Sequence, residues 1–318
     1  MSVEAETGKL DPANIEHASR VIDPVFRGTP QFRDPFLAER LGKDVVVKVE
    51  SVNPVRSFKG RGADYCLSRL DAQREVVCAS AGNFGQAIAY AGRARGIAVS
   101  VFAATTANPA KVARMRALGA NVVLVGHDFD AAKNAAREHA KQRPGALFLE
   151  DGEDPRVAEG AGTIGLELAA VAPDTLLVPV GNGALIAGVG CWMRFASPDT
   201  RVVGVCAAGA PAMEISWRRG EPVCTDTTST IADGVAVRVP VPAAVTWMQH
   251  YVDDVLLVDD EQILQAVRIV DETLGLPLEP AGAIGIAAAM EYDGPGEILA
   301  TVLTGSNFAP ELLDRIRR

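Results

Sequence analysis

The chain has 318 residues and a mass of 33.4 kDa, a size that fits about two domains. Hydrophobic residues make up 48% of it and charged residues 22%, which allows a sizeable core and excludes an intrinsically disordered protein. The net charge of −9 argues against binding to nucleic acid or to an anionic membrane surface, because both need a concentrated basic surface. We therefore expect neither as a partner.

The cysteines and the apolar stretches indicate the cellular environment. Five scattered cysteines without a CxxC pair predict neither a disulfide framework nor a zinc ribbon, and they favour reduced thiols in a cytoplasmic protein. The N-terminal segment is polar and acidic, so we expect no signal peptide. The uncharged stretch 175–193 contains Pro179, Asn182 and four glycines, which predicts a strand, a glycine loop and a helix rather than a membrane span.

Short apolar runs alternate with helical patterns along the chain. Strands are predicted at 45–49, 76–79, 99–102, 122–125, 176–180, 202–206, 255–258 and 298–303. Helices are predicted near 84–94, 109–118, 129–141, 156–170, 184–195, 260–274 and 280–291. Strands that are apolar on both faces and alternate with helices predict an α/β protein with a parallel sheet covered by helices. The acidic segment 150–154 is the best candidate for an internal boundary.

A glycine triplet at Gly160, Gly162 and Gly165 satisfies the pattern of a dinucleotide-binding loop. That loop requires a strand before it and a helix after it. Here the triplet follows a charged segment and lies inside a predicted helix. We therefore interpret these glycines as part of an ordinary helix.

Two candidate sites follow the first two predicted strands. Lys59 lies in the segment 57–63, and a lysine amine beside an aromatic ring and small residues could form an imine with an aldehyde cofactor. The segment 80–86 has small residues whose backbone amides could bind an anion at a helix N-terminus, and Asn83 could donate to a phenolic oxygen. Taken alone, Lys59 also fits a solvated side chain, and Asn83 also fits a helix cap.

Two more candidate sites follow the strands at 176–180 and 298–303. The turn after the first could hold an anion on inward-facing amides; it contains Gly181, Asn182, Gly183, Ala184 and Leu185. Thr304 follows the second strand and could point a hydroxyl into a crevice, although a tight turn and a helix cap are the ordinary alternatives for these two segments. Ligands of parallel sheets bind at the carboxyl ends of strands, so the four sites together favour pyridoxal 5′-phosphate.

In order and spacing, these segments resemble the fold-type II pyridoxal-phosphate enzymes, the tryptophan-synthase-β-like superfamily, and most of all its threonine/serine dehydratases. The resemblance covers about residues 45–310. Segment 57–63 is similar to the SFKxRGA motif of that family. The other similar segments are 126–130 with GDTFDEA, 154–163 with DDPxxIxGQGT, 231–235 with IADGI or IADGV, and 279–283 with EPxGA.

The resemblance implies two three-layer domains with mainly parallel twisted sheets and an active site in the cleft between them. Residues 78–150 would form a small mobile domain, and residues 1–77 and 151–318 a discontinuous cofactor-binding domain. The resemblance also implies a role for each site residue. Lys59 would form the Schiff base, Phe58 would pack on the cofactor ring, Asn83 would bind its O3′ oxygen, and Thr304 would face its nitrogen. Gly181 to Leu185 would bind the phosphate. The substrate carboxylate would be bound by Ser80, Ala81, Gly82 and Gln86.

The chain also departs from the family pattern at particular positions. Asn182 and Ala184 replace glycines of the phosphate loop, and Arg56 replaces a small or neutral residue, which suggests a second acidic group on the substrate. Related racemases have a serine where Ala81 stands, so dehydration is expected over racemisation. Cys206 stands where some racemases have an acidic metal ligand, and we predict no metal site there.

The expected reaction is the elimination of water from a small hydroxy-amino acid such as L-threonine or L-serine, giving a 2-oxo acid and ammonia. A β-replacement or threonine-synthase-like enzyme and a non-catalytic amino-acid-binding relative stay open as alternatives. Family habit implies a homodimer. After the last motif we expect only a short helix at 310–318, which leaves no room for the effector domain of biosynthetic threonine dehydratases.

Overall fold

The computed structural model describes residues 8–308, which form an α/β fold. The strands are β1 (Gln31–Phe32), β2 (Val45–Val49), β3 (Glu75–Ala79), β4 (Ala98–Ala103), β5 (Asn121–Leu124), β6 (Leu147–Phe148), β7 (Thr175–Pro179), β8 (Arg201–Ala207), β9 (Asp254–Val258) and β10 (Leu299–Leu303). The helices are α1 (Pro12–Val21), α2 (Pro35–Leu41), α3 (Lys59–Ser68), α4 (Asn83–Arg95), α5 (Pro109–Ala117), α6 (Phe129–Lys141), α7 (Pro155–Leu168), α8 (Ala184–Ala196), α9 (Ala212–Arg219), α10 (Pro242–Tyr251), α11 (Asp260–Leu274) and α12 (Pro280–Glu291).

The strands form two sheets. One has six strands in the order β1-β2-β10-β7-β8-β9, and the other has four in the order β5-β4-β3-β6. All neighbouring strands run parallel except the short β1, which pairs antiparallel with β2. The prediction of mainly parallel sheets is therefore confirmed. All eight predicted strands are present, with ends shifted by at most a few residues.

Helices cover both faces of each sheet. In β2, Val46 belongs to one apolar cluster, whereas Val45 and Val47 belong to another on the opposite face, which α11 and α12 cover. In β3, Val76 faces the cluster that contains α4, while Val77 faces α6. Successive side chains of a strand point to opposite faces, so both sheets are the middle layer of three.

Some elements are additional to the predicted set, among them β1, β6, α1, α2, α9 and α10. The two-residue strands are too short to show a pattern. The short helices α1 and α2 nevertheless have local start signals, because Asp11 and Asp34 cap them and a proline follows each cap. The four-stranded sheet lies between Glu75 and Phe148; the proposed domain boundaries at 78 and 150 stay a prediction.

The glycine triplet lies within α7, as the sequence interpretation expected. A β-carbon on Gly160 would lie 2.7 Å from the carbonyl oxygen of Arg61, and one on Gly162 would lie 2.8 Å from that of Gly188. These glycines therefore let α7 pack closely on α3 and α8. The helix expected at 310–318 lies outside the described residues. Across 8–308, no helix has the length and apolar character needed to span a membrane.

Candidate active site

The four predicted sites lie at the carboxyl ends of strands. Neighbouring strands β2, β10 and β7 lead to Lys59, Thr304 and the turn after Val180, and β3 of the other sheet leads to the segment that starts at Ser80. In parallel sheets these ends share one edge, where ligands bind. The two sheets therefore present their carboxyl edges to one site.

Lys59 is the first residue of α3. Its Nζ lies 2.5 Å from Oδ2 of Asp151 and 4.6 Å from the centre of the Phe58 ring. Lys59 and Asp151 are mostly buried, with side chains 15% and 11% exposed, so the contact is only weakly screened by water. Oδ1 of Asp151 is buried without a hydrogen-bond partner. The sequence analysis missed Asp151, because it lies in the acidic segment that was interpreted as a boundary.

The segment before Lys59 is fixed to the end of β10. The amide of Phe58 donates to the carbonyl of Thr304 at 3.0 Å, and Ser57 forms an isolated β-bridge with Gly305. The Thr304 hydroxyl is buried and donates to the carbonyl of Ala281 at 3.3 Å. The structure thus brings Phe58, Lys59 and Thr304 together.

A buried polar chain connects Asn83 to the same region. Asn83 Nδ2 donates to Glu279 Oε1 at 2.6 Å, and Asn307 Nδ2 donates to Asn83 Oδ1 at 2.9 Å. A β-carbon on Gly305 would lie 2.3 Å from Glu279 Oε1, so this carboxyl sits directly on the turn after Thr304. Burial raises the pKa of Glu279 to about 7. The sequence analysis noted Glu279 only as part of a motif.

The turn at 181–185 has the backbone shape of an anion cradle. Gly183 has a φ of +91°, and α8 begins after it without a side-chain cap, which leaves its first amides available to an anion. A β-carbon on Gly181 would lie 2.6 Å from the carbonyl oxygen of Gly234, and one on Gly152 would lie 2.5 Å from that of Asn182. Only glycine fits at these contacts, and the second contact brings the turn close to Asp151.

The side chains of the predicted substrate-binding segment 80–86 form hydrogen bonds within the protein. The Ser80 hydroxyl accepts hydrogen bonds from the amides of Gly82 and Gly85, at 3.1 and 3.0 Å, and so shapes the start of α4. The side chain of Gln86 is buried and accepts from Arg114 Nε at 2.8 Å. Ala81 and Gly82 lie directly before α4, and Gly82, as the N-cap residue, has no side chain to cap the helix. The Ser80 side chain therefore shapes the backbone of this segment, and the Gln86 oxygen holds Arg114.

A fully paired charge cluster anchors α3. The buried guanidinium of Arg61 contacts Glu50 at 2.8 Å and Glu167 at 2.7 Å, and Lys48 contacts Glu167 at 2.5 Å. Burial alone would raise the pKa of Glu167, but hydrogen bonds and charge from Arg61 and Lys48 lower it to about 2. Since Arg61 is two residues after Lys59 in α3, this cluster fixes the helix start that carries the lysine.

The described residues fit a phosphorylated pyridine aldehyde. An amine, a cradle of amides that a β-carbon would fill, an asparagine amide and a buried hydroxyl meet at one edge, as that cofactor requires. Cys206 is buried within β8, and residues 8–308 contain no cluster of His, Cys, Asp and Glu that could hold a metal ion. The absence of a metal site stays a prediction.

Comparison with known proteins gives the same assignment. The family described as pyridoxal-phosphate dependent enzyme matches residues 22–305. An L-threonine ammonia-lyase of Thermotoga maritima is 35% identical over 309 residues, which cover 95% of this chain and 77% of that protein. The processed threonine deaminase isoform 2 of Solanum lycopersicum is similar with a TM-score of 0.88 at 31% identity, over 98% of this chain and 91% of that one.

A structure of maize serine racemase is similar with a TM-score of 0.90 at 26% identity, over 96% of both chains. A racemase and a deaminase thus share this fold. The chain belongs to the pyridoxal-phosphate-dependent enzymes of fold type II, and within them to the group that contains the threonine and serine ammonia-lyases.

Proposed function

We propose that this pyridoxal-phosphate-dependent ammonia-lyase acts on a small hydroxy-amino acid such as L-threonine or L-serine. The products would be a 2-oxo acid and ammonia. The observation that carries the proposal is the surroundings of Lys59. Its amine contacts Asp151, whose neighbour Gly152 packs on Asn182 of the 181–185 turn, and the amide of Phe58 donates to the carbonyl of Thr304. The names of the relatives, threonine ammonia-lyase and threonine deaminase, support the substrate class.

In this proposal the cofactor is held by the residues that the sequence analysis selected. Lys59 would hold its aldehyde carbon, and the first amides of α8 its phosphate. Asn83 and Thr304 would contact polar atoms of the ring, and Phe58 would pack beside it. When bound, the cofactor supplies the electron sink that makes the α-proton of an amino acid acidic.

The residues of the chain then orient the substrate and move a proton. The segment from Ser80 to Gly82 leads into α4, whose N-cap residue Gly82 has no side chain to cap the helix. This helix start, together with the Ala81 amide before it, is suited to a carboxylate because a helix N-terminus favours negative charge. The Lys59 amine is the general base for the α-proton. Asp151, 2.5 Å from Nζ, stabilises the ammonium that results.

Elimination is proposed over racemisation because of Ala81. A racemase needs a second proton donor on the opposite face of the substrate, and a methyl group at this position offers none. Purified enzyme should therefore convert L-serine to pyruvate faster than to D-serine.

Three further features belong to the proposal. Residues 78–150 would move as a small domain that closes over the substrate and excludes water. The enzyme would be a homodimer, which size-exclusion chromatography with light scattering would test. It would act in the cytoplasm, consistent with its dispersed cysteines.

The test is a substrate panel for the native enzyme and for Lys59→Ala, read out as 2-oxo acid and ammonia. We expect release from hydroxy-amino acids, and a loss of about 10²–10⁴-fold or more in Lys59→Ala together with the loss of the cofactor's visible absorbance band. Lys141→Ala, at an exposed ion pair, is the control and should keep both. Turnover that requires sulfide, or that occurs only with phosphohomoserine, would indicate β-replacement or threonine synthesis instead. If the protein released ammonia from none of the amino acids in the panel, it would be a non-catalytic relative.

A further inference from the structure

Two arginines near the active site have no acidic partner. Arg114 of α5 donates from Nε to Gln86 Oε1 at 2.8 Å and from Nη2 to the carbonyl of Pro54 at 3.4 Å. Arg56 lies exposed in the loop that leads to Lys59. Within residues 8–308, neither guanidinium forms an ion pair with a carboxylate. In a chain with a net charge of −9, two neighbouring arginines without a carboxylate partner offer positive charge to an external anion.

The two arginines act on each other electrostatically. The Arg114 guanidinium reaches the carbonyl of Pro54, which is two residues before Arg56 in the chain. Burial lowers the pKa of Arg114, and the positive charge of Arg56 lowers it further. Arg56 also has a φ of +51°, a left-handed conformation that is uncommon for residues other than glycine. Strained backbone of this kind is found at ligand-binding positions, where the structure holds a side chain in a required place.

Gln86 supplies a buried donor at the same place. Its side chain is fully buried, and its Nε2 has no hydrogen-bond partner. The Arg114 Nε–H fixes the orientation of the amide, because a rotated amide would place two donors against each other. A buried N–H without an acceptor is unfavourable. The Gln86 Nε2 donor is therefore available to an acceptor on a ligand, because the described part of the chain provides none.

These groups adjoin Asn83, which is proposed to contact the cofactor. Gln86 lies one helical turn after Asn83 on the same face of α4. The Asn307 amide bonds both Asn83 and the carbonyl of Val55, so the turn that carries Arg56 lies against that face. Arg56 is also three residues before Lys59, and its carbonyl accepts from the amide of Ser306 in the turn after Thr304, at 3.0 Å. An anion bound by Arg56, Arg114 and Gln86 would therefore lie beside the proposed active site.

We propose that Arg56, Arg114 and Gln86 form a subsite for a second carboxylate, on the side chain of a hydroxy-amino acid substrate. Arginine forks bind carboxylates through two parallel hydrogen bonds, which selects this group over a neutral methyl. The substrate would be a 3-hydroxyaspartate. It loses its β-hydroxyl and α-proton as water, and hydrolysis of the resulting enamine takes up one water and releases ammonia, so that oxaloacetate remains. This inference rests on the proposed ammonia-lyase function and narrows its substrate.

The first experiment compares kcat/KM for L-threo-3-hydroxyaspartate, L-threonine and L-serine in the native holoenzyme, Arg114→Gln and Arg56→Gln. We expect the native enzyme to prefer 3-hydroxyaspartate. Each substitution should lower kcat/KM for that substrate by about 10- to 100-fold, as expected for a hydrogen-bonded charge pair, and change the values for threonine and serine by less than about threefold. Arg40→Gln removes an arginine from a distant exposed ion pair, and it should change none of them.

A binding measurement gives a readout independent of turnover. Calorimetry with malonate should show binding to the native holoenzyme and about tenfold weaker binding to Arg114→Gln. The subsite would be overturned if the native enzyme preferred threonine, or if the arginine variants lost kcat/KM equally on all substrates. Equal malonate binding by the native protein and Arg114→Gln would overturn it as well. A preference for O-phosphoserine would do so as well, since it would assign the site to a phosphate. If no amino acid released ammonia, the proposed function itself would fail, whereas release from threonine alone would overturn only the subsite.

Discussion

Arg61 and Arg114 both contact the loop between β2 and α3, Arg61 at Glu50 and Arg114 at Pro54. They differ in whether carboxylates surround the guanidinium. Arg61 is fully buried and its guanidinium contacts two carboxylates and two hydroxyls. Arg114 contacts one side-chain amide and one backbone carbonyl, and the positive charge of Arg56 adds to the effect of burial in lowering its pKa. The N–H donors of Arg61 are all bonded within the chain. The positive charge of Arg114 has no carboxylate partner among the described residues and is available to an external anion.

This comparison shows that a positive charge near the active site can have a structural role or a ligand-binding role. A buried cation that is completely paired fixes an element, in this case the helix start that carries Lys59. A cation that folding leaves unpaired is available for a ligand. The first kind should therefore control stability, and the second should control specificity. Substitutions at each kind of site test this division.

The largest effect on stability is expected for Arg61→Met. It leaves Glu50, a fully buried carboxylate, with only the Thr29 hydroxyl, and removing one partner of a buried pair typically costs about 3–5 kcal/mol. Chemical denaturation of the apoprotein measures the free energy of unfolding. Arg143→Met breaks the more exposed pair with Glu75 and should cost no more than about 1 kcal/mol. Equal losses in the two variants would contradict the division.

Glu279 gives the next effect, because it is a buried carboxyl bonded to an amide. Its pKa is about 7 in the folded protein, above the ordinary value of 4.5, so the folded state keeps a proton that the unfolded state releases between these pH values. The unfolding free energy of the apoprotein should fall as pH rises through that window, by at most about 1.4 kcal/mol per pH unit, and then level off. In Glu279→Gln this part of the decline should disappear. An unchanged pH dependence would contradict the raised pKa.

The smallest effect is expected for Asp151→Asn. In the protein without cofactor, Asp151 holds the Lys59 amine as a charged pair, and it lies beside the turn proposed to bind a phosphate. Removing the negative charge should free the amine and reduce repulsion, so apoprotein should take up pyridoxal phosphate about tenfold faster. Stopped-flow absorbance measures the uptake. Glu153→Gln, an exposed carboxylate in the same loop, is the control. Slower uptake would mean that Asp151 helps to hold the cofactor.

Much of the fold follows from local pattern. The eight apolar runs predicted as strands are strands, because a parallel sheet buried on both faces imposes a continuous apolar sequence on each. The pattern also placed Lys59, Asn83, Thr304 and the 181–185 turn after strands, where a parallel sheet brings them to one edge. The two-residue strands β1 and β6 carry no such pattern, and only their pairing with longer strands defines them.

The sequence by itself therefore determined the alternation of strand and helix, the residues that follow each strand, and the family to which those residues point. The tertiary structure alone decided which charges meet. Asp151 contacts Lys59, Glu279 is buried away from water, and Arg114 reaches the carbonyl of Pro54 in the loop of Arg56, because segments distant in sequence pack together. Local pattern reports on burial and periodicity, whereas the charge state and pairing of a side chain depend on neighbours that only folding supplies.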